Sequence, residues 1–218
     1  MSFDKLVAAA LALVPGDGRA VLGLAGAPGS GKTTLAEALV TRIAADRGAG
    51  FVGHVPMDGF HLADVQLDRL GLRDRKGAPE TFDAAGYAAL LRRLHTETDR
   101  PVYAPGFERT LEQPIAGAVV VPPTARLVVT EGNYLLLGRP EWRRARAELD
   151  QIWWVETDDA TRIRRLVARH VRFGKAPEVA AAWVAEVDEA NTALVRAGGE
   201  SADRVVTGHG NSWQFQLP

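Results

Sequence analysis

The residues Gly26-Ala27-Pro28-Gly29-Ser30-Gly31-Lys32-Thr33-Thr34 carry the first chemistry visible in the chain. So many glycines cost conformational entropy on folding and would serve a core poorly. They do let main-chain N–H groups curl around an anion, and the spacing fits G-x-x-x-x-G-K-[ST] at every defined position. In that pattern the loop amides and the following helix N-terminus cradle α- and β-phosphates, and the Lys32 ammonium reaches the outer oxygens. The Thr33 hydroxyl is then a ligand for Mg2+. Lysine occurs elsewhere only at Lys5, Lys76 and Lys175, so Lys32 is not background.

Two acids could complete a phosphoryl-transfer site. Asp58, in "MDGFH", follows an apolar run, and ligands in open parallel sheets collect at the carboxyl ends of strands. A carboxylate there can accept a proton from an attacking hydroxyl and orient it in line. Glu131 ends the run "LVVTEG" and suits a second oxygen ligand for Mg2+. The asparagines are Asn133, Asn191 and Asn211, and none sits in N-K-x-D, so guanine reading is unsupported and ATP is the expected nucleotide. Arg162, Arg165, Arg169 and Arg172 recur at helical steps and lie roughly on one face.

These groups need a scaffold. "AVLGLA" (20–25), "FVGHVPM" (51–57), "LVVTEG" (127–132), "QIWWVE" (151–156) and a strand from Asp203 are short apolar runs of the kind buried in a parallel sheet. Helices are expected over 32–47, 84–94, 158–172 and 177–196, and strand–helix alternation predicts an α/β fold with a mostly parallel sheet. Trp153 and Trp154 fall on a buried strand and read as core. The segments 58–82 and 102–113 read as long loops, which in compact domains are usually functional.

The bulk composition narrows the partners. A formal net charge of −1 provides no basic field for nucleic acid or membrane. The absence of cysteine excludes disulfides and thiolate sites. The run "LVAAALALV" (6–14) has the small-x-small form of a cleavage site, but Asp4 offsets Lys5. Phe3, Leu6, Val7, Ala10, Leu13 and Val14 share one helical face, so an amphipathic docking helix is expected there. The expectation is one cytoplasmic domain over 1–218, with a small-molecule partner, no nucleic acid, no membrane, and homodimerisation left open.

Taken in order, "GAPGSGKTT", "MDGFH", "LRDRKGAPETFD", "PVYAPGFER" and "VVTEGNYLLL" resemble the P-loop kinases of the uridine kinase, phosphoribulokinase and type I bacterial pantothenate kinase superfamily. Within it the chain is most similar to bacterial members of the nucleoside/nucleotide kinase-like, fructose transport system kinase-like group. The resemblance implies a P-loop NTPase fold, three-layer α/β/α, with a small helical lid over about 158–178 whose arginines, Arg165 and Arg169 first, close over the phosphates, neutralise developing charge and exclude water. It implies ATP and Mg2+ as cofactors, Asp58 as catalytic base and Glu131 near the metal. It further implies Asp58, His61, Arg75, Lys76, Phe82, Tyr103, Arg109 and Asn191 as acceptor-side residues, and His209 on the adenine side. The implied reaction is phosphorylation of a hydroxyl on a sugar or polyol, a nucleoside or pantothenate. The competing reading is a regulatory ATPase that acts on a protein partner.

Overall fold

The computed structural model describes residues 3–209 and 212–216, with side chains described over 3–208. Helix α1 (Phe3–Leu11) leads into β1 (Ala20–Ala25), the glycine loop, and α2 (Lys32–Arg47). Strand β2 (Val52–Pro56) ends in a 3-10 turn (Met57–Phe60), followed by α3 (Asp64–Leu70), two further 3-10 turns and α4 (Ala84–Thr96). Strands β3 (Val102–Glu108) and β4 (Gln113–Val121) precede β5 (Leu127–Gly132), α5 (Pro140–Arg146) and β6 (Gln151–Glu156). The chain closes with α6 (Asp159–Arg172), α7 (Pro177–Trp183), a π turn (Val184–Asp188), α8 (Glu189–Arg196), β7 (Arg204–His209) and β8 (Ser212–Gln216).

The main sheet has the order β2-β5-β1-β6-β7-β8. All pairings are parallel except that of β8 on β7. β1 and β5 are buried at every position, as expected for strands covered on both faces. On one face, α1 and α2 supply Leu6, Val7, Ala10, Leu35, Leu39 and Ile43 against Leu22, Leu24 and Val129. On the other, α4 and α5 supply Tyr87, Leu91, Leu94 and Trp142 against Val21, Val55 and Val128. The result is three layers. Trp153 lies in the first core and Trp154 in the second, both as core residues.

One expectation needs correction. The segment 102–113 is not loop-rich: β3 and β4 form an antiparallel hairpin of their own, with a register shift between Ala104 and Gly106. Pro105, Gly106, Pro114 and Gly117 interrupt the apolar alternation that would have announced it, and β4 is exposed over most of its length. The expected helix 177–196 is present as one unbroken run of α7, the π turn and α8. β8, which pairs with the far edge of β7, and the short helix α5 were not anticipated. The two strands that flank α2 are also not neighbours, because β5 inserts between them and pairs with both.

That insertion brings the site together. Pro56 pairs with Glu131 and Ala25 with Gly132, so the ends of β1, β2 and β5 lie side by side. The turn after β2 is pinned by the hairpin. A Cβ on Gly59 would stand 2.2 Å from the Pro105 carbonyl oxygen, so only glycine permits this approach. Gly59→Ala should therefore cost about 1–3 kcal/mol and lower Tm by about 2–10 °C, read by circular dichroism melts. Gly16→Ala, where an added Cβ meets nothing within 4 Å, is the silent control.

Candidate active site

The glycine loop runs from β1 into α2, with Gly31 as N-cap in the left-handed region at φ 98° and no side chain capping the helix. The amides of the first turn therefore have no intrahelical acceptor, which leaves donors for an anion. Ser30 Oγ is buried inside the loop without a hydrogen-bond partner. Lys32 is buried, and its Nζ donates to the loop's own carbonyls, Gly26 O and Ala27 O, at 3.0 Å each. Uncapped amides, an orphaned hydroxyl and a folded-back ammonium all fit a polyphosphate. A cleft of about 270 Å³ adjoins the loop on the β6–β7 side, lined by Ala27, Ser30, Trp154, Thr157, Arg196 and Gly199.

Thr33 Oγ1 donates to Glu131 Oε1 at 3.1 Å, so the two expected metal ligands touch. Their oxygens, one neutral and one acidic, suit Mg2+, which keeps several waters and takes substrate phosphates as its remaining ligands. Among the described residues no cluster of three or more metal-ligating His, Cys, Asp or Glu exists, so a dedicated all-protein cage is not offered there. Glu131 is held in place from behind. Thr130 Oγ1 donates to Val55 O at 2.5 Å, and Tyr87 therefore donates its hydroxyl to Thr130 Oγ1 at 2.6 Å, which ties α4 to β5 and β2.

Asp58 sits in the 3-10 turn after β2, half-buried, and Arg109 Nη2 reaches its Oδ2 at 3.2 Å from the end of the hairpin strand β3. Burial pushes the Glu131 carboxyl up to about 7, and the nearby charge of Asp58 pushes the same way, against Lys32, the Thr33 hydroxyl and Arg109. Burial pulls Lys32 down to about 8, while Glu131 and Asp58 oppose the fall and Arg169 and Arg162 add to it. Asp58, Glu131 and Lys32 thus lie within one another's fields, as the sequence predicted.

The remaining predicted residues divide. His61 and Phe82 stack at 3.9 Å between ring centroids, and Phe107 lies 4.8 Å from His61 on the hairpin side. Phe82 is itself buried against Tyr134 and Trp142. Lys76 Nζ bonds Asp64 at 2.7 Å and the Glu112 carbonyl, and lies 5.6 Å from the Phe107 centroid. Glu112 has φ 53°, a left-handed conformation unusual for its type, at the tip where Lys76 holds it. Arg75 is exposed and pairs with Glu80. Tyr103 is 61% exposed at the opposite end of β3 from Arg109 and is not brought to the others. Asn191 is half-buried on α8 and makes no hydrogen bond among the described residues. His209 closes β7 in backbone, but its side chain lies outside the described residues.

Arg165 and Arg169 are exposed on α6, but Arg162, expected on the same face, is 1% exposed. Arg162 donates to Pro28 O at 3.4 Å, Thr192 Oγ1 at 3.1 Å, Glu189 at 2.6 Å and Asp159 at 3.1 Å. It joins the glycine loop to α6 and α8, a role its spacing did not reveal. Phe107 was also missed, although it stands two residues before Arg109 in "PGFER".

No family model matches the chain. It is 36% identical over 177 residues, 79% of this chain and 75% of the relative, to the Schizosaccharomyces pombe protein named "Putative uridine kinase". It is 38% identical over 133 residues to an ATP-dependent kinase-like protein of Aspergillus versicolor, covering 58% of this chain and 77% of that one. The solved structure of a "putative fructose transport system kinase" from Silicibacter sp. TM1040 matches with TM-score 0.85 and 37% identity, over 96% of this chain and all of the other. The chain belongs to the uridine kinase-like family of P-loop kinases. It is accordingly a small-molecule kinase that uses ATP.

The Glu131 shift has a testable sign. Its folded pKa lies above the ordinary carboxylate range, so the folded chain holds this proton more tightly than the unfolded one. The stability this contributes is complete below about pH 4.5 and lost as pH rises through about 7. Glu131→Gln removes that loss, so the Tm of the variant minus that of the nucleotide-free wild type should grow from pH 5 to pH 8. A difference that shrinks over that window would contradict the buried carboxyl.

Proposed function

We propose that the chain transfers the γ-phosphoryl group of Mg-ATP to a hydroxyl of a small sugar or polyol, with Asp58 as general base. The observation that carries this reading is the convergence of Asp58, Glu131 and Lys32 at the ends of β2, β5 and β1, beside the wall of His61, Phe82 and Phe107.

The loop amides of Gly26 to Thr34 hold the triphosphate, and Lys32 exchanges the Gly26 and Ala27 carbonyls for phosphate oxygens. Mg2+, held by Thr33 Oγ1 and Glu131, would neutralise charge on the phosphate oxygens. Asp58 accepts the proton of the substrate hydroxyl as its oxygen forms a bond to the γ-phosphorus and the bond to the β–γ bridging oxygen breaks. Arg109 must leave Asp58 for this, and the charged γ-phosphoryl group offers it a new partner. Orientation is the main resource, since held reactants reach effective molarities of about 10⁵ M or more, enough for a bound alcohol to outcompete water.

The segment of about 158–178 acts as the lid of a domain spanning the whole chain. Its root is fixed by Arg162, and its exposed Arg165 and Arg169 close on the phosphates. The relatives' names point to different acceptors, uridine in one and a fructose transport system in another, so the acceptor must be found by assay.

Incubation with Mg-ATP and fructose, ribose, uridine or pantothenate, followed by phosphorus NMR, should give a new phosphoester with the sugars. Phosphate release without any phosphoester would instead favour a regulatory ATPase. Asp58→Asn should lower kcat by about 10²- to 10⁴-fold while ATP binding, read by calorimetry, stays near wild type. Lys32→Ala should weaken ATP binding itself. Equal turnover by the Asp58 variant would remove the base assignment.

A further inference from the structure

We infer that His61 reads the acceptor as a hydrogen-bond acceptor only, so that the site selects a neutral polyhydroxy compound over its phosphorylated or carboxylated counterpart. The inference rests on the kinase reading above and narrows its substrate class.

The geometry of the ring fixes its tautomer. His61 Nδ1 lies 2.7 Å from the main-chain oxygen of Asp58. A carbonyl oxygen can only accept, so the proton of that bond is on Nδ1. A half-turn of the ring about Cβ–Cγ would keep its contacts with Phe82 at 3.9 Å and Phe107 at 4.8 Å but set Cδ2 against that oxygen, so the hydrogen bond itself holds this orientation. The strand-like bridge between His61 and Phe82 also fixes the backbone, reinforced by Leu62 N to Thr81 O and Asp83 N to Phe60 O, both 2.8 Å.

The ring is also neutral. Asp58 and Glu112 face it and favour the cation, Lys76 faces it and opposes, and burial outweighs them all, holding His61 below its ordinary value. With Nδ1 protonated and the ring uncharged, Nε2 carries only a lone pair, and no hydrogen bond is made to it among the described residues.

A bare lone pair on a ring anchored to the main chain of the proposed base welcomes an O–H or N–H donor and repels an anionic oxygen. A sugar or polyol with a hydroxyl next to the one phosphorylated supplies that donor. An anionic substituent would need a cation, and the basic side chains around this wall are already paired. Lys76 and Arg73 hold Asp64. Arg75 and Arg139 hold Glu80. Arg109 holds Asp58 and, on release, meets the γ-phosphoryl group. A site built to bond a hydroxyl discriminates strongly against analogues that leave its buried group unpaired.

Two measurements test this on the full chain. In long-range proton–nitrogen NMR spectra, with His61 assigned by comparison with His61→Phe, the wild type at pH 7 should show a protonated Nδ1 and an unprotonated Nε2. An imidazolium pattern, or the opposite tautomer, would overturn the inference whatever the enzyme phosphorylates.

The second measurement compares fructose with fructose 6-phosphate and ribulose with ribulose 5-phosphate as acceptors. The neutral member of each pair should have kcat/KM at least about tenfold higher, and a preference for the anionic member would overturn it. His61→Phe keeps the stacking but removes both nitrogens. It should raise the KM for the neutral acceptor about tenfold or more with a smaller change in kcat, and His61→Gln, whose amide oxygen can accept, should recover part of the loss. An unchanged acceptor KM in His61→Phe would also overturn it. Were neither member of either pair phosphorylated, the acceptor class would fall together with the polyol reading, while the spectrum would separately uphold or refute the tautomer.

Discussion

The site depends on holding a buried carboxyl and a buried ammonium beside a second, half-buried carboxylate. Asp58 and Glu131 lie at the ends of neighbouring strands, and burial together with the Asp58 charge holds the Glu131 carboxyl up, so its ionisation needs compensation. Lys32 supplies part of it from the loop side and Arg109 part from the hairpin side. The nucleotide-free arrangement is therefore strained electrostatically, with Glu131 pushed up and Lys32 pulled down by the same burial. A divalent cation and a triphosphate bound there would relieve both at once, in a fold whose strands β1 and β5 are otherwise fully buried.

The second sheet exists to serve that cluster. The β3–β4 hairpin shares little with the main sheet, yet it touches the turn after β2 so closely that Gly59 admits no side chain. It delivers Phe107 to one face of His61 and Arg109 to Asp58, while Lys76 fastens its tip through the Glu112 carbonyl. The wall of His61, Phe82 and Phe107 is thus assembled from two segments on either side of α4, the stretch between β2 and α4 and the hairpin after it. Their mutual position is set by aromatic contacts, the close approach of Gly59 to Pro105 and the polar links Arg109–Asp58, Lys76–Glu112 and Asp64–Gln113 rather than by a continuous element.

The sequence made the nucleotide half legible and the acceptor half only partly so. β1 and β6 were bounded from their apolar runs, and α2 from the i, i+4 repeat of Leu35, Leu39 and Ile43 ending at Gly48, because each is decided by local periodicity. Asp58 and Glu131 were found because strand ends in parallel sheets are where ligands gather. The hairpin was hidden by prolines and glycines that suit an exposed two-stranded ribbon. The insertion of β5 between β1 and β2, which makes the two acids neighbours, is a property of topology that no local pattern encodes. Tyr103 shows the opposite error: a resemblance carried it to the acceptor side, whereas alternation along β3 points it outward.

Helix α6 makes the same point about limits of periodicity and adds a functional one. Its arginines at 162, 165 and 169 share a helical spacing, so sequence treats them alike. Tertiary structure separates them. The first turn lies over the glycine loop and under α8, so Arg162 is enclosed and must satisfy its donors on Pro28, Asp159, Glu189 and Thr192, while the later turns run past the core and leave Arg165 and Arg169 exposed. Removing the buried guanidinium would take the cation from Glu189, while Asp159 would keep Arg196 and Thr192 its bond to the Asp188 carbonyl; the exposed pair holds no comparable set of partners among the described residues. One helix thus combines a fixed root against the phosphate-binding loop with a cationic surface free to change partners, the division of labour that closing over a phosphate would require.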